Sequence, residues 1–209
     1  MAKVSDLLTH FYNLINEVYD SDPKVTVVIN WYNECLDDVA EEAALDGTPQ
    51  SFSTVAATAS YAVAGTSGDF IRYRELKCGG NWLEPTSIDD LARHDLDQTK
   101  TGTPTHYYLY SGQVYLWPVP DRVFAVTGWW VRRPTQLSAA DTGATPELPP
   151  RFHTLLNDYA LYRYQVRDFE PDLANAAWAQ YARQKAALGT FRTREVRRGR
   201  PAIKARPLI

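Results

Sequence analysis

Apolar residues recur at intervals of three and four at the start of the chain: Val4, Leu7, Leu8, Phe11, Leu14, Ile15 and Val18. That period lays one apolar stripe on a helix begun at Ser5 or just before it, and Tyr19–Pro23 stops it. Proline suits the first turn of a helix, so a second helix opens near Pro23. Its apolar face is Val25, Val28, Ile29, Tyr32, Leu36, Val39 and Ala43, and the pattern fades before Gly47. Two such stripes joined by a short linker predict an antiparallel helix pair.

From Pro49 to about Leu137 the period changes. Gln50–Ala57, Ser60–Ala64 and Phe70–Lys77 carry β-branched and aromatic residues and are separated by Gly, Ser and Thr, as short strands are. Ser87–Arg93 predicts one short helix capped by Ser87. Thr105–Tyr110 and Gln113–Trp117 flank Ser111-Gly112, a two-residue link that marks a hairpin. Pro118–Asp121 makes a further turn, and Val123–Arg132 is expected to add the third strand of a meander, with Trp129 and Trp130 on opposite faces. Leu137–Pro150 is a polar, proline-containing loop. Helical spacing then resumes with Phe152, Leu155, Leu156, Tyr159, Ala160 and Arg163. A last helix over Pro171–Leu188 has Leu173, Ala177, Tyr181 and Leu188 on one side and Trp178 nearby, and Gly189 is expected to end it.

The fold class this order predicts is α+β. Two N-terminal and two C-terminal helices form a four-helix bundle, interrupted by a central antiparallel β-rich insertion and followed by an extended basic C-terminal arm. The corresponding segments are 1–48, 49–137, 138–189 and 190–209. The arm has too few apolar groups to join a core and is expected to be disordered in the free protein.

Composition narrows the functional classes. Apolar and charged fractions of 44% and 22% are those of an ordinary globular chain. Thirteen Tyr and six Trp can fill a core, but both residue types also favour partner surfaces. No run approaches the ~18 consecutive apolar residues of a membrane span. The first residues lack the apolar run of a secretory leader, so no membrane role or export is expected. Cys35 and Cys78 match no metal spacing and are expected to be reduced thiols of a cytosolic product.

Charge is unevenly placed. Thr190–Ile209 holds seven bases and one acid, a net of +6; the chain's net charge is −3, so the preceding residues sum to −9. An acidic body with a basic tail points to an interaction arm. The tail's apolar residues, including Phe191, Val196, Ile203, Pro207, Leu208 and Ile209, suit a protein groove better than a bare phosphate sleeve.

Catalytic chemistry is not legible. His10, His94, His106 and His153 stand at no ligand spacing. Asp89, Asp90, Asp95 and Asp97 lack the alternation, central Gly and terminal Glu of a calcium loop. Cys78-Gly79-Gly80 fits a turn between strands. Phosphate-loop, dinucleotide and nucleophile-elbow motifs are absent. Hydrolysis would need a pair of carboxylates converging in a pocket, such as Asp69 with Glu75 or Glu84, and nothing in their spacing demands it. The expectation is no enzyme, no catalytic residue, no metal and no cofactor.

Several ordered motifs resemble one family. Gly102–Tyr108, Tyr115–Asp121 and Trp130–Pro134 are similar to the successive G-x-P-x-x-Y strand, P-x-P-D turn and Y-x-R-x-P strand end of the head-to-tail connector, or adaptor, proteins of tailed bacteriophages. Glu147–His153 followed by Leu155–Ala160 resembles that family's approach to its third helix, and Ile29-Asn30 with Leu36 and Val39 its second. The likeness covers about Asp22 to Leu188. Trp117 and Trp130 stand where Tyr is commoner, and Gly65–Thr101 is not matched.

The resemblance implies a virion neck protein, made in the host cytoplasm, that forms a homo-oligomeric ring, usually of twelve copies, beneath the portal protein. Its helical parts would surround the DNA channel without sequence-specific binding. Its β part would meet tail, nozzle or neck proteins, and its arm would reach the portal. On that basis Arg192, Arg194, Arg197, Arg198, Arg200, Lys204 and Arg206 are expected to bond portal carboxylates and carbonyls, with Pro207, Leu208 and Ile209 as apolar anchors. The alternative is a nucleic-acid-binding accessory protein gripping phosphates with the same tail.

Overall fold

The computed structural model describes residues 2–65, 68–93, 95 and 99–199, with backbone alone for 193–199. In chain order the elements are α1 (Val4–Leu14), α2 (Val25–Asp38), α3 (Ala40–Ala43), β1 (Leu45–Asp46), β2 (Gln50–Ser53), β3 (Ser60–Ala62), β4 (Phe70–Cys78), β5 (Asn81–Trp82) and β6 (Glu84–Pro85). They continue with α4 (Ile88–Ala92), β7 (Thr101–Gly102), β8 (His106–Tyr110), β9 (Gln113–Trp117), β10 (Val119–Pro120), β11 (Ala125–Arg132), a 3-10 turn at Pro150–Phe152, α5 (Thr154–Arg167) and α6 (Pro171–Gly199). Two compact units result: a helical unit of the residues up to Ala44 with those from Pro134 onward, and a β unit, Leu45–Arg133.

In the helical unit α1 and α2 each start where a carboxylate holds a backbone N–H. Asp6 accepts from the Lys3 N–H at 3.0 Å to open α1, and Asp20 accepts from the Val25 N–H at 2.9 Å to open α2. Most of the predicted stripes are buried, Val4, Leu7, Leu8 and Phe11 from α1 and Val28, Ile29, Tyr32 and Leu36 from α2, but Leu14 and Val18 are exposed because α1 ends at Leu14. The buried residues close on Leu155, Leu156 and Ala160 of α5 and Tyr181 and Leu188 of α6. Each fully buried Leu or Phe contributes about 1.5–3 kcal/mol, so this shared core, more than helix propensity, holds the unit together.

The expected four-helix bundle does not form. Six α-helices occur among the described residues, with α4 in the β unit. In the helical unit α5 is central and packs on α1, α2 and α6, while α6 also packs on the separate turn α3. Packing on α5 sets this arrangement, and Val39, at φ −99° and ψ 7°, leaves α-helical geometry and splits α3 from α2. The C-terminal segment is not extended from Thr190 either, because α6 runs through Gly189 to Gly199. A Gly inside a helix costs only about 1 kcal/mol relative to Ala. Glu42 lies beside it at ordinary van der Waals range, since a Cβ on Gly189 would stand 3.5 Å from Glu42 Cγ. The α+β class holds.

The β unit contains three sheets. β11 is central in the largest, antiparallel to β4 on one side and to β1 and β2 on the other, with β5 extending β4. A second sheet runs β3-β9-β8-β6, and β7 pairs in parallel with β10. The β8–β9 hairpin forms in the expected place. Ser111 and Gly112 both take positive φ, 49° and 72°, as a tight two-residue turn requires.

The expected meander does not form, because β11 leaves the hairpin's sheet. Pro118 and Pro120 have no N–H to continue a ladder. Thr54 then catches the chain: its Oγ1 donates to the Arg122 carbonyl at 3.0 Å and accepts from the Phe124 N–H at 2.7 Å. Register shifts in the β4–β11 ladder flank Trp130. Trp130 is buried and Trp129 half-exposed, on opposite faces as expected. The core of this unit is Tyr73, Leu76, Cys78, Val114, Leu116, Val126 and Trp130.

Candidate partner-binding surface

The predicted arm is rooted on the helical unit by one stripe of α6. The Tyr181 hydroxyl donates to the Asp38 carboxylate, and Lys185 Nζ bonds both that carboxylate and the Asp38 carbonyl, each at 2.9 Å. Lys185 also lies 3.7 Å from Glu42. Gly189 rests against Glu42, and Arg192 Nε donates to the Ala43 carbonyl at 2.7 Å. Residues 181, 185, 189 and 192 are spaced by fours and a three, which keeps them on one helix face. Burial alone would raise the Asp38 pKa, but the Tyr181 hydroxyl and Lys185 ammonium outweigh it and hold the carboxyl below its ordinary value.

Beside this stripe, Phe191 meets Phe152 with ring centroids 5.8 Å apart. The Arg151 guanidinium covers both rings, 3.7 Å from the centroid of Phe191 and 4.6 Å from that of Phe152. Phe191 and Arg192, assigned by sequence to a free arm, are therefore in contact with the body. Arg194, Arg197 and Arg198 belong to the last turns of α6. A helix advances about 100° per residue, so these positions fall roughly 140–240° around from Arg192, on the face opposite the anchoring stripe. Arg200, Lys204, Arg206, Pro207, Leu208 and Ile209 lie outside the described residues.

The other described polar candidates make local contacts. Asp95 accepts from the Thr99 N–H at 3.1 Å, the Lys100 N–H at 3.0 Å and Trp117 Nε1 at 3.0 Å, and these bonds, led by that from Trp117, hold its pKa down. It ties Thr99 and Lys100 to Trp117, while Asp89 and Asp90 ride on α4, whose N-terminus is capped by Ser87. Asp97 and His94 lie outside the described residues. His106 pairs with Thr105, and buried His153 bonds the Leu148 carbonyl through Nε2 at 2.9 Å. Cys35 and Cys78 are buried free thiols, both pushed up by burial. Among the described residues no group of three or more His, Cys, Asp or Glu could hold a metal ion. Nor is any helix among them long and apolar enough to cross a membrane.

Two features were not anticipated. The first is a buried polar pair on α5. Asn157 accepts from the Tyr32 hydroxyl at 2.5 Å and bonds His10 Nδ1 through Nδ2 at 2.8 Å. Asp158 accepts from Gln180 at 3.0 Å and from Gln184, and burial pushes its pKa up to about 6. Nothing in the helical spacing marks these two residues as interior. The second is an aromatic surface on α5 and α6, where half-exposed Trp178 lies 5.0 Å from Tyr162 and 5.2 Å from Tyr181. Phe169, 91% exposed, and Leu173 continue it to the α5–α6 turn. The chain's many Tyr and Trp were the signal for such a surface, though not for its position.

No curated protein matches the chain. A family model described as SU10 adaptor protein matches residues 2–205. The match takes in the helical unit, the β unit and the whole of α6, and the chain belongs to this family of tailed-phage head-to-tail adaptor proteins.

Proposed function

We propose that the chain is a non-catalytic connector subunit that forms a ring of about twelve copies in the virion neck. The ring docks on the portal through the end of α6 and the residues beyond it, lets DNA pass through its channel, and offers the tail a platform through its β unit. The observation that carries the docking is the two-faced end of α6. Tyr181, Lys185, Gly189 and Arg192 occupy one face against the body, which leaves positions 194, 197 and 198 on the other. Arginines there suit carboxylates and carbonyl groups of a protein partner, each charge-assisted bond contributing ~1.5–3 kcal/mol. The net charge of −9 carried by the first 189 residues supports a channel that repels DNA rather than gripping it.

The test is co-elution with the purified portal ring of the same phage. The full chain, a chain ending at Gly199, and the triple variant Arg194→Ala/Arg197→Ala/Arg198→Ala are compared. Fixed stoichiometry for the full chain, with affinity at least ten-fold weaker for the triple variant, supports the proposal. Absence of portal binding, together with DNA binding that falls steeply with salt, would replace it by the nucleic-acid reading.

A further inference from the structure

The root of the arm meets the chain where it leaves the helical unit. α3 ends at Ala44, a non-glycine residue in the left-handed region at φ 44°, ψ 50°, and the β unit begins at the next residue. Such a conformation costs an L-residue roughly 1–2 kcal/mol and persists only where neighbours hold it. Two carbonyls of this segment receive side chains from α6: the Asp38 carbonyl from Lys185 at 2.9 Å and the Ala43 carbonyl from Arg192 at 2.7 Å. Glu42 completes the contact, 3.7 Å from Lys185 and packed on Gly189. Cations placed on the last carbonyls of a helix satisfy acceptors that have no partner within it.

We infer that the Lys185–Gly189–Arg192 stripe of α6 is a clasp on the α3–Ala44 turn, so that a partner gripping α6 beyond Arg192 also rigidifies the turn leading into the β unit. The clasp supplies what α3 lacks. Four residues cannot sustain a helix unaided, and the clasp adds to the turn's own backbone bonds, among them the Ala43 N–H to the Val39 carbonyl at 2.7 Å and the Ala44 N–H to the Ala40 carbonyl at 3.1 Å. Arg192 is the last residue of the stripe and immediately precedes the run of bases at 194, 197 and 198. Fraying of α6 would release Arg192 early, and capture of those bases by a partner would suppress the fraying. Only the partner's effect rests on the proposed docking; the clasp belongs to the free chain.

Hydrogen exchange at the Ala43 and Ala44 amides tests each half. In the free full-length protein, Arg192→Ala is expected to speed their exchange about ten-fold, the effect of losing one charged hydrogen bond. Arg192→Lys, which keeps a cationic donor, is expected to restore part of the protection, and Arg194→Ala to change nothing. Unchanged exchange in Arg192→Ala, or an equal effect from Arg194→Ala, would overturn the clasp whether or not the portal binds. On adding portal ring, wild-type protection at these amides should rise, while Arg192→Ala should bind the ring without that gain. A rise of equal size in both would overturn the coupling. A portal that fails to bind either protein would overturn the docking and the coupling built on it, leaving the clasp to the free-chain comparison.

Discussion

Asp158 shows how one side chain can oppose the fold that contains it. Its carboxyl is 8% exposed and is met by the amides of Gln180 and Gln184, two neutral donors, with His10 nearby as a cation only when protonated. Burial raises its pKa from 3.8 to about 6, so the folded state binds this proton more tightly than the unfolded chain does. The stability it contributes is full below the unfolded value and is lost as pH rises through about 6. Comparing urea unfolding of wild type with Asp158→Asn isolates the effect. Between pH 4 and pH 7.5 the wild type should lose up to about 3 kcal/mol relative to the variant, two pH units at ~1.4 kcal/mol each. A difference independent of pH would mean that the carboxyl is not desolvated in solution. The sequence shows Asn157 and Asp158 only as polar positions in a helical pattern. Asp158 is met by α6 and Asn157 by α1 and α2, neighbours that no local period encodes.

Elements are positioned by a few tight contacts. Trp130 of β11 is covered by two glycines, since a Cβ on Gly47 would come within 2.3 Å of its ring and one on Gly65 within 2.5 Å. Its indole N–H reaches the Thr48 carbonyl at 2.7 Å. Gly128 is equally confined, 2.7 Å from Tyr73 Cε1 and 2.9 Å from Leu76 Cδ1 by the same construction. Gly128→Ala is therefore expected to destabilise the β unit by about 1–3 kcal/mol, measured by chemical denaturation with Trp fluorescence. Thr54→Val keeps the shape but leaves the Phe124 N–H without its Thr54 acceptor, and should cost ~1–3 kcal/mol in the same assay. The strand segments and the β8–β9 hairpin were legible because alternation and turn chemistry are local. The sheet that β11 joins was not, because β4 and β11 pair through residues far apart in the chain, as Trp130 with Tyr73.

At the scale of the whole molecule, the β unit is an insertion whose two ends are neighbours. Leu45 of β1 is the ladder partner of Arg132 of β11. Replacing residues 46–131 by a short Gly-Ser linker should therefore leave the helical unit able to fold, with a far-ultraviolet helical spectrum and cooperative thermal melting. A molten product with no cooperative transition would show that the helical core depends on the β unit. The same deletion tests the proposed division of labour, since portal co-elution through α6 should survive it while any contact of the β unit with tail proteins is lost.

Local patterning determined much of this protein. It placed the amphipathic stripes of α1, α2, α5 and the first part of α6, apart from exposed Leu14, Val18 and Leu173, together with the Ser111-Gly112 turn and the separation of an acidic body from a basic C-terminus. The ordered proline and aromatic motifs carried the likeness to phage adaptors that the family match bears out. Tertiary contacts decided the rest. They made α5 the central helix in place of a four-helix bundle, moved β11 out of the hairpin's sheet, and drew α6 past Gly189 to seat Phe191 and Arg192 on the body. Helical period and turn chemistry act over a few residues and are written in the order of the chain. A glycine's tolerance within a helix and the register of distant strands depend on what packs against them, and only the folded chain supplies those neighbours.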